Sequence, residues 1–521
     1  MLFNSYIFIF VFLPIVLLGF HFIGQRGSHR IAISWLIAAS LFFYGWWNPA
    51  YLGLILVSII FNFTIGGLLE KNSSKLILAL GIIVNLGLLG YFKYANFFVN
   101  NINVLTNGNI HLEQIILPLA ISFFTFQQIT YLVDVYYRLT KNYDFLHYCL
   151  FVTFFPQLIA GPIVHHKEML PQFTRDIFGK LKASHLAVGS SIFILGLFKK
   201  VVLADNIAIH ATPVFEAAEN DVVLTMFEAW GGALAYTFQL YFDFSGYSDM
   251  AIGLARMFGV VLPLNFYSPY KANSIIEFWR RWHITLSRFL RDYVYIPLGG
   301  NRNGHVHRYK NLMITMLLGG FWHGAGWTFV IWGGMHGLFI SINHAWNAFT
   351  KRIGARRFGA QLVAKIFGRL ITFVAVVIAW VMFRAESLAG AMNMYSGMFF
   401  NNGKAIPLPS WLEPMLGDVS GALKMLGFTY HGMFYNGVFG NSNQGVIMLF
   451  FMLLIVWFSP NTLDWLKDEK PALGLDKFLV KRERKFLVWK ANGLYALIVA
   501  AIAAVAIMYI QQESEFLYFQ F

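Results

Sequence analysis

Phe-Trp-Arg-Arg-Trp-His-Ile-Thr-Leu-Ser runs from Phe278 to Ser287, Phe-Trp-His-Gly-Ala-Gly from Phe321 to Gly326, and Met-His-Gly from Met335 to Gly337. Three histidines, His283, His323 and His336, are thus set among tryptophans, glycines and arginines in a chain that is otherwise largely hydrocarbon. A titratable side chain at membrane depth is costly, so it is a functional candidate by default. Working outward, the rest of the chain reads as the housing for these histidines.

Of the 521 residues, 58% are hydrophobic and 12% charged, about half the charge of a soluble domain. Apolar runs long enough to cross roughly 30 Å of hydrocarbon as helices recur throughout. The expectation is an all-α, polytopic membrane protein of about 10–13 transmembrane or re-entrant helices around a central tunnel, with interfacial helices on the cytoplasmic side. It forms a single integral membrane domain over 1–521, its motif-bearing core at about 85–350 and less distinctive helices over 361–521. The net charge of +14 falls in short clusters between apolar runs, which points to topology setting by cytoplasmic loops and not to nucleic acid. One cysteine, Cys149, excludes an intramolecular disulfide and a cysteine-rich metal site.

With the N-terminus outside, successive loops alternate in charge as the positive-inside rule requires. Helices are expected over 6–23, 31–47, 51–69, 76–98 and 115–137. The loop Asn100 to Gln114 lacks Lys and Arg and belongs outside. Tyr148 to Val164 is apolar, has basic flanks on both sides and is broken by Pro156 and Gly161-Pro162, so it reads as re-entrant beside a cavity. A helix over 186–206 leads to an external loop, His210 to Val222; Lys199 and Lys200 within it are expected to snorkel or mark an interfacial break, with lining of the cavity as the alternative. A helix over 224–242 meets Tyr241 to Met250, where two aspartates, two serines and a glycine suggest a buried turn. Ser274 to Tyr293 reads as one amphipathic interfacial helix. Asn311 to about Trp346 has basic loops at both ends, so it forms a hairpin of two half-length legs with Trp322-His323-Gly324 near its tip. Helices over 361–383, 446–458 and 488–510 follow, which leaves the C-terminus outside.

A buried imidazole can take and return a proton near neutral pH. At the hairpin tip, His323 could act as general base on a hydroxyl or thiol that attacks an acyl carbon, with Trp or His N–H groups stabilising the oxyanion. His283 lies close in sequence to Arg280, Arg281, Arg288 and Arg291, which suits an anionic cofactor such as the phosphates of coenzyme A; lipid phosphates are the plainer use of these arginines. Trp282, Ser287, Asp292 and Trp322 are further candidates for donor or substrate contact, and His336 for a supporting role. Asp243, Asp249 and Asp292 read as partners to the arginines or as helix caps. His165 and His166 are adjacent and diverge on a helix, no histidine pair has metal-ligand spacing, and neither a phosphate loop nor a Gly-x-Ser-x-Gly elbow is present. A proton-relay transporter and a non-catalytic export scaffold are the competing readings, although transport folds usually carry internal repeats and none is visible.

Phe278 to Ser287, Leu290-Arg291-Asp292-Tyr293, Gly299-Gly300-Asn301-Arg302 and Phe321 to Ala325 resemble the membrane-bound O-acyltransferase family. Tyr241 to Gly253 and Gly90-Tyr91-Phe92-Lys93-Tyr94 look like its bacterial alginate O-acetylation branch. The resemblance implies an acetyltransferase that uses a cytoplasmic donor such as acetyl-CoA, holds no permanent cofactor and serves an exported polysaccharide together with a periplasmic acetyltransferase-like partner. It also implies an inner-membrane location with both termini periplasmic, a catalytic role for His323 and an essential one for His283. Alginate is the leading acceptor, with cellulose or peptidoglycan as alternatives.

Overall fold

The computed structural model describes residues 1–26, 29–140, 144–174, 180–352, 361–399, 406–407, 412–425, 428–429, 434, 437–479, 488–510 and 516–517. Of the basic loop residues used to set topology, Lys141, Arg175, Arg356, Arg357 and Lys481 to Lys485 lie outside this set. The described chain is all-α apart from two paired two-residue strands, Ile406–Pro407 and Phe428–Thr429.

Five helical stretches among the described residues are long and apolar enough to cross a bilayer: Phe8–Gln25, Ala50–Lys71, Lys75–Thr106, Ala183–Glu219 and Leu362–Arg384. Phe10, Val57, Leu76, Ile83, Phe367 and Phe450 are among the large apolar side chains left exposed on the outside of the bundle. In water such a surface would aggregate; against lipid it is the solvated face. The protein is therefore a multi-pass membrane protein.

At the centre stands Met226–Met257, 32 residues long and buried along nearly all of its length. Thr225 and Glu228 start it with reciprocal side-chain bonds of 3.2 and 3.0 Å to each other's backbone N–H. Gly259, at φ +80, ends it. The turn expected over Tyr241 to Met250 is absent; the helix runs straight through. Its aspartates are accommodated because the neighbouring helix brings lysines to them: Lys200 lies 2.7 Å from Asp243 and 2.9 Å from Asp205, and Lys199 lies 2.6 Å from Asp249. Asp243 and Asp249 thus partner lysines and not the arginines. Nor do Lys199 and Lys200 snorkel, for a π-type turn over Lys199–Ala204 turns them inward.

Two loops shorten for similar reasons. The chain is helical to Glu219, so most of the expected external loop after His210 is absent, and His210 is buried with Nδ1 2.9 Å from the Phe439 carbonyl oxygen. Lys75–Thr106 likewise continues into the expected loop at 100–114.

The stretch expected to be broken and protein-buried is both. Phe145–Thr153 and Phe155–Leu158 are short helices broken at Phe154, and every residue from Tyr148 to His166 is buried. The freed polar groups find protein partners: Phe155 N–H donates to Ser40 Oγ (3.1 Å), Ile163 N–H to Thr285 Oγ1 (3.0 Å), and Gln157 Nε2 to the Phe151 carbonyl (2.7 Å).

The hairpin exists, turning over Gly324 to Gly326 between Gly304–His323 and Trp327–Arg352. Its legs are 20 and 26 residues, about 30 and 39 Å long at 1.5 Å per residue, although neither is among the five stretches apolar enough to cross a bilayer by themselves. They pack backbone to backbone: a Cβ on Gly320 would sit 2.3 Å from the Phe329 carbonyl oxygen, and one on Gly333 2.3 Å from that of Met316.

Candidate active site

Ser274 to Tyr293 is not one interfacial helix. Ile275–Arg281 and Ile284–Leu290 are separated at Trp282-His283, and His283 is left-handed at φ +41. A segment from 265 to 267 holds the break open, since Tyr267 N–H donates to the Arg281 carbonyl and Ile284 N–H to that of Asn265, both at 2.9 Å. Such a conformation costs a non-glycine residue of order 1–3 kcal/mol and persists where its surroundings over-determine it. Its effect is to aim the His283 ring into the bundle, 1% exposed, with Nδ1 3.1 Å from Asn265 Oδ1. Asn265 is fixed in turn by Thr285 Oγ1, which donates to Oδ1 at 2.9 Å, and by its own Nδ2, which donates to Ser248 Oγ at 3.1 Å. With Oδ1 accepting, His283 carries its proton on Nδ1 and presents Nε2 as the basic nitrogen.

His323 is the last residue of its helix, where Gly324 breaks the ladder at the hairpin tip. It is 6% exposed and boxed edge-on by Trp322, Trp332 and Phe383, with ring centroids 4.9, 5.1 and 5.2 Å away. His283 approaches the same tryptophan, its ring centroid 6.3 Å from that of Trp322. Trp322 is itself stacked on Phe126 at 5.2 Å, and Phe126 on Phe289 at 4.0 Å.

His336 completes the group beside Trp332, with ring centroids 4.9 Å apart. Trp279 Nε1 donates to His336 Nδ1 at 3.2 Å. An indole N–H can only donate, so Nδ1 is the bare nitrogen and the ring is neutral.

The arginines divide. Arg281 is held by Glu277 (2.8 Å), Arg288 by both oxygens of Glu168 (2.6 and 2.9 Å), and Arg291 by its neighbour Asp292 (2.7 and 3.0 Å); Arg280 is exposed. Trp282 is buried between Phe278 and Trp380, and the Ser287 hydroxyl donates to the Trp282 carbonyl at 3.4 Å. Thus His283, Trp322, His323 and His336 come together, while Arg280 and Arg291 are exposed and Asp292 is taken up by Arg291.

A chamber of about 230 Å³ reaches this group. It is lined by Trp47 and Asn48 of one turn, by the 116–123 stretch, and by Ile159, Lys93, Trp322 and His323. Sequence reasoning gave Lys93, Asn265 and Trp332 no part in the site. The available signal for Lys93 was a lone cation in the middle of an apolar run; nothing local marks Asn265. Among the described residues no three His, Cys, Asp or Glu side chains converge as a metal site.

Residues 136–384, which include all three histidines, match the model of the MBOAT, membrane-bound O-acyltransferase family. A peptidoglycan O-acetyltransferase of Helicobacter pylori is 46% identical over 436 residues, 78% of this chain and 81% of that protein. A "Probable alginate O-acetylase AlgI" of Pseudomonas aeruginosa is 44% identical over 409 residues, 77% of this chain and 75% of the relative. A teichoic acid D-alanyltransferase of Streptococcus thermophilus is 28% identical over 280 residues, 51% and 68% of the two chains. Identity of that order across three quarters of two acetyl-transferring relatives, on a helical bundle that buries His323 at a hairpin tip, makes this chain a member of the membrane-bound O-acyltransferase family.

Proposed function

We propose that this protein is an O-acetyltransferase of the bacterial inner membrane, a single domain over residues 1–521. It takes acetyl from a cytoplasmic thioester donor, acetyl-CoA, for O-acetylation of an exported polysaccharide. The observation that carries this reading is the gathering of His323 and His283 around Trp322, with His323 on the wall of a chamber large enough for a small acyl group and a hydroxyl. His323 is the general base: it takes the proton of the acceptor hydroxyl as that oxygen attacks the acetyl carbonyl. His283, oriented by Asn265, is the second essential group, placed to hold the donor or to relay the proton.

Alginate is the acceptor we favour, from the several alginate O-acetylases among the relatives. Peptidoglycan stands beside it because the relative at 46% identity acts there. The loop charges support periplasmic termini, and a periplasmic acetyltransferase-like protein is the proposed partner for delivery to the glycan. Arg280, the exposed arginine of the cluster, suits the donor phosphates or lipid.

The test is replacement of His323 by Ala in the native host, with ester-linked acetate measured on alginate and on peptidoglycan separately. Loss of acetate from one glycan at normal protein level is expected and names the acceptor. Full acetylation of both would overturn the reading.

A further inference from the structure

Among the described residues, Lys93 is the one lysine on the wall of the chamber beside His323. It sits in a π-type turn, Gly90–Tyr94, that interrupts the membrane helix Lys75–Thr106; such turns recur at functional sites because they re-aim a side chain. Here the turn sends two consecutive residues to the end of the hairpin's first leg. Tyr94 OH donates to the Phe321 carbonyl at 2.9 Å, and Lys93 Nζ donates to those of Trp322 and His323 at 2.6 and 3.0 Å.

Capping carbonyls at a helix C-terminus accounts for part of this arrangement. It does not account for the charge. A hydroxyl or amide would cap as well without bringing an ammonium into the membrane interior, where an unpaired ion is costly. None of the ion pairs among the described residues includes Lys93. Lys199 and Lys200 each have a carboxylate within 3 Å, whereas the half-buried Lys271, like Lys93, donates to a backbone carbonyl, that of Ser459. An ammonium has three N–H donors; two are taken by carbonyls, the charge lies 5.9 Å from the centroid of the Trp322 ring, and Lys93 lines the chamber beside His323.

We infer that Lys93 is a further catalytic residue, the electrophilic group that receives the negative charge developing on the acyl oxygen. This rests on the acetyl-transfer reading above. In the step, the acceptor hydroxyl gives its proton to His323 and its oxygen bonds to the carbonyl carbon of the acetyl thioester. The carbonyl π pair moves onto oxygen beside the Lys93 ammonium. Collapse re-forms the carbonyl and breaks the carbon–sulfur bond, and the departing thiolate takes the proton back from the His323 imidazolium. Fixed positive charge aimed at the place where charge appears, away from water, is the most effective kind of transition-state stabilisation.

The experiment uses membrane vesicles from cells carrying the complete acetylation system, supplied with acetyl-CoA, with rates normalised to folded protein. Lys93→Met should lower the rate at saturating donor about 100- to 1000-fold while leaving the half-saturating acetyl-CoA concentration within about threefold; Lys93→Arg, which keeps the charge, should recover at least a tenth of the rate. With fluoroacetyl-CoA, whose acyl oxygen needs less help, the loss from Lys93→Met should shrink, which a merely structural role would not produce. If Lys93→Met does not fold, Lys93→Gln carries the same comparison. An active wild type with an equally active Lys93→Met, or equal losses with both donors, would overturn the role of Lys93 alone. An inactive wild type would overturn the acetyl-transfer reading and this inference with it.

Discussion

His283 Nδ1 lies 3.1 Å from Asn265 Oδ1, and the two residues sit on opposite sides of a single backbone junction, because Ile284 N–H also donates to the Asn265 carbonyl. One asparagine therefore sets both the backbone turn and the ring orientation of a histidine at the centre of the bundle. Asn265→Ala should reduce acetyl transfer by about 100-fold, the scale of a misplaced reacting group, with the protein still inserted and folded. Asn265→Asp, which keeps the acceptor oxygen, should lose less. Glycan-bound acetate per folded molecule is the measurement, and equal activity of the Ala variant would remove Asn265 from the site.

His336 is expected to support the site without entering the reaction. Trp279→Phe deletes the donor to its Nδ1 and should cost about 1 kcal/mol of stability, read as a lower melting temperature in detergent, while the rate per folded molecule stays within a few-fold. A loss as large as that of His323→Ala would move His336 into the chemistry.

The Lys200, Asp243 and Asp205 group holds the two central helices together where both are dry. Lys200→Met should destabilise by about 3–5 kcal/mol, because it strands buried carboxylate. Adding Asp243→Asn should recover part of this, as Asp205 is about a quarter exposed and can be hydrated. Melting curves of the single and double variants give the comparison; no recovery would mean that the lysine's packing, including its contact over Phe516, dominates.

Adjacent glycines on the hairpin's second leg should behave differently. Gly333→Ala pushes a methyl group to 2.3 Å from the Met316 carbonyl oxygen and should cost about 1–3 kcal/mol by overpacking. Gly334→Ala meets only Leu317 Cδ2 at 3.5 Å and should be near neutral. The pair can be read from expression level and melting temperature together.

By itself the sequence determined the class of the molecule and the address of its chemistry. Apolar runs decide helix and membrane whatever their neighbours are, since an unpaired backbone cannot stand in lipid. Basic loops at both ends of Asn311 to Trp346 were enough to demand a hairpin, and Trp322-His323-Gly324 could only be at its tip. Tertiary structure alone decided what polar residues inside those runs do. Asp243 and Asp249 looked like a break in their helix because their lysine partners lie on another helix, some fifty residues earlier. Ser274 to Tyr293 has the spacing of one continuous helix, yet Asn265 and Tyr267 hold it open at His283, and no local pattern reports a hydrogen bond made by a distant backbone. Lys93 joined the site for the same reason. A buried charge is defined by what faces it, and the carbonyls of Trp322 and His323 lie more than two hundred residues away in sequence.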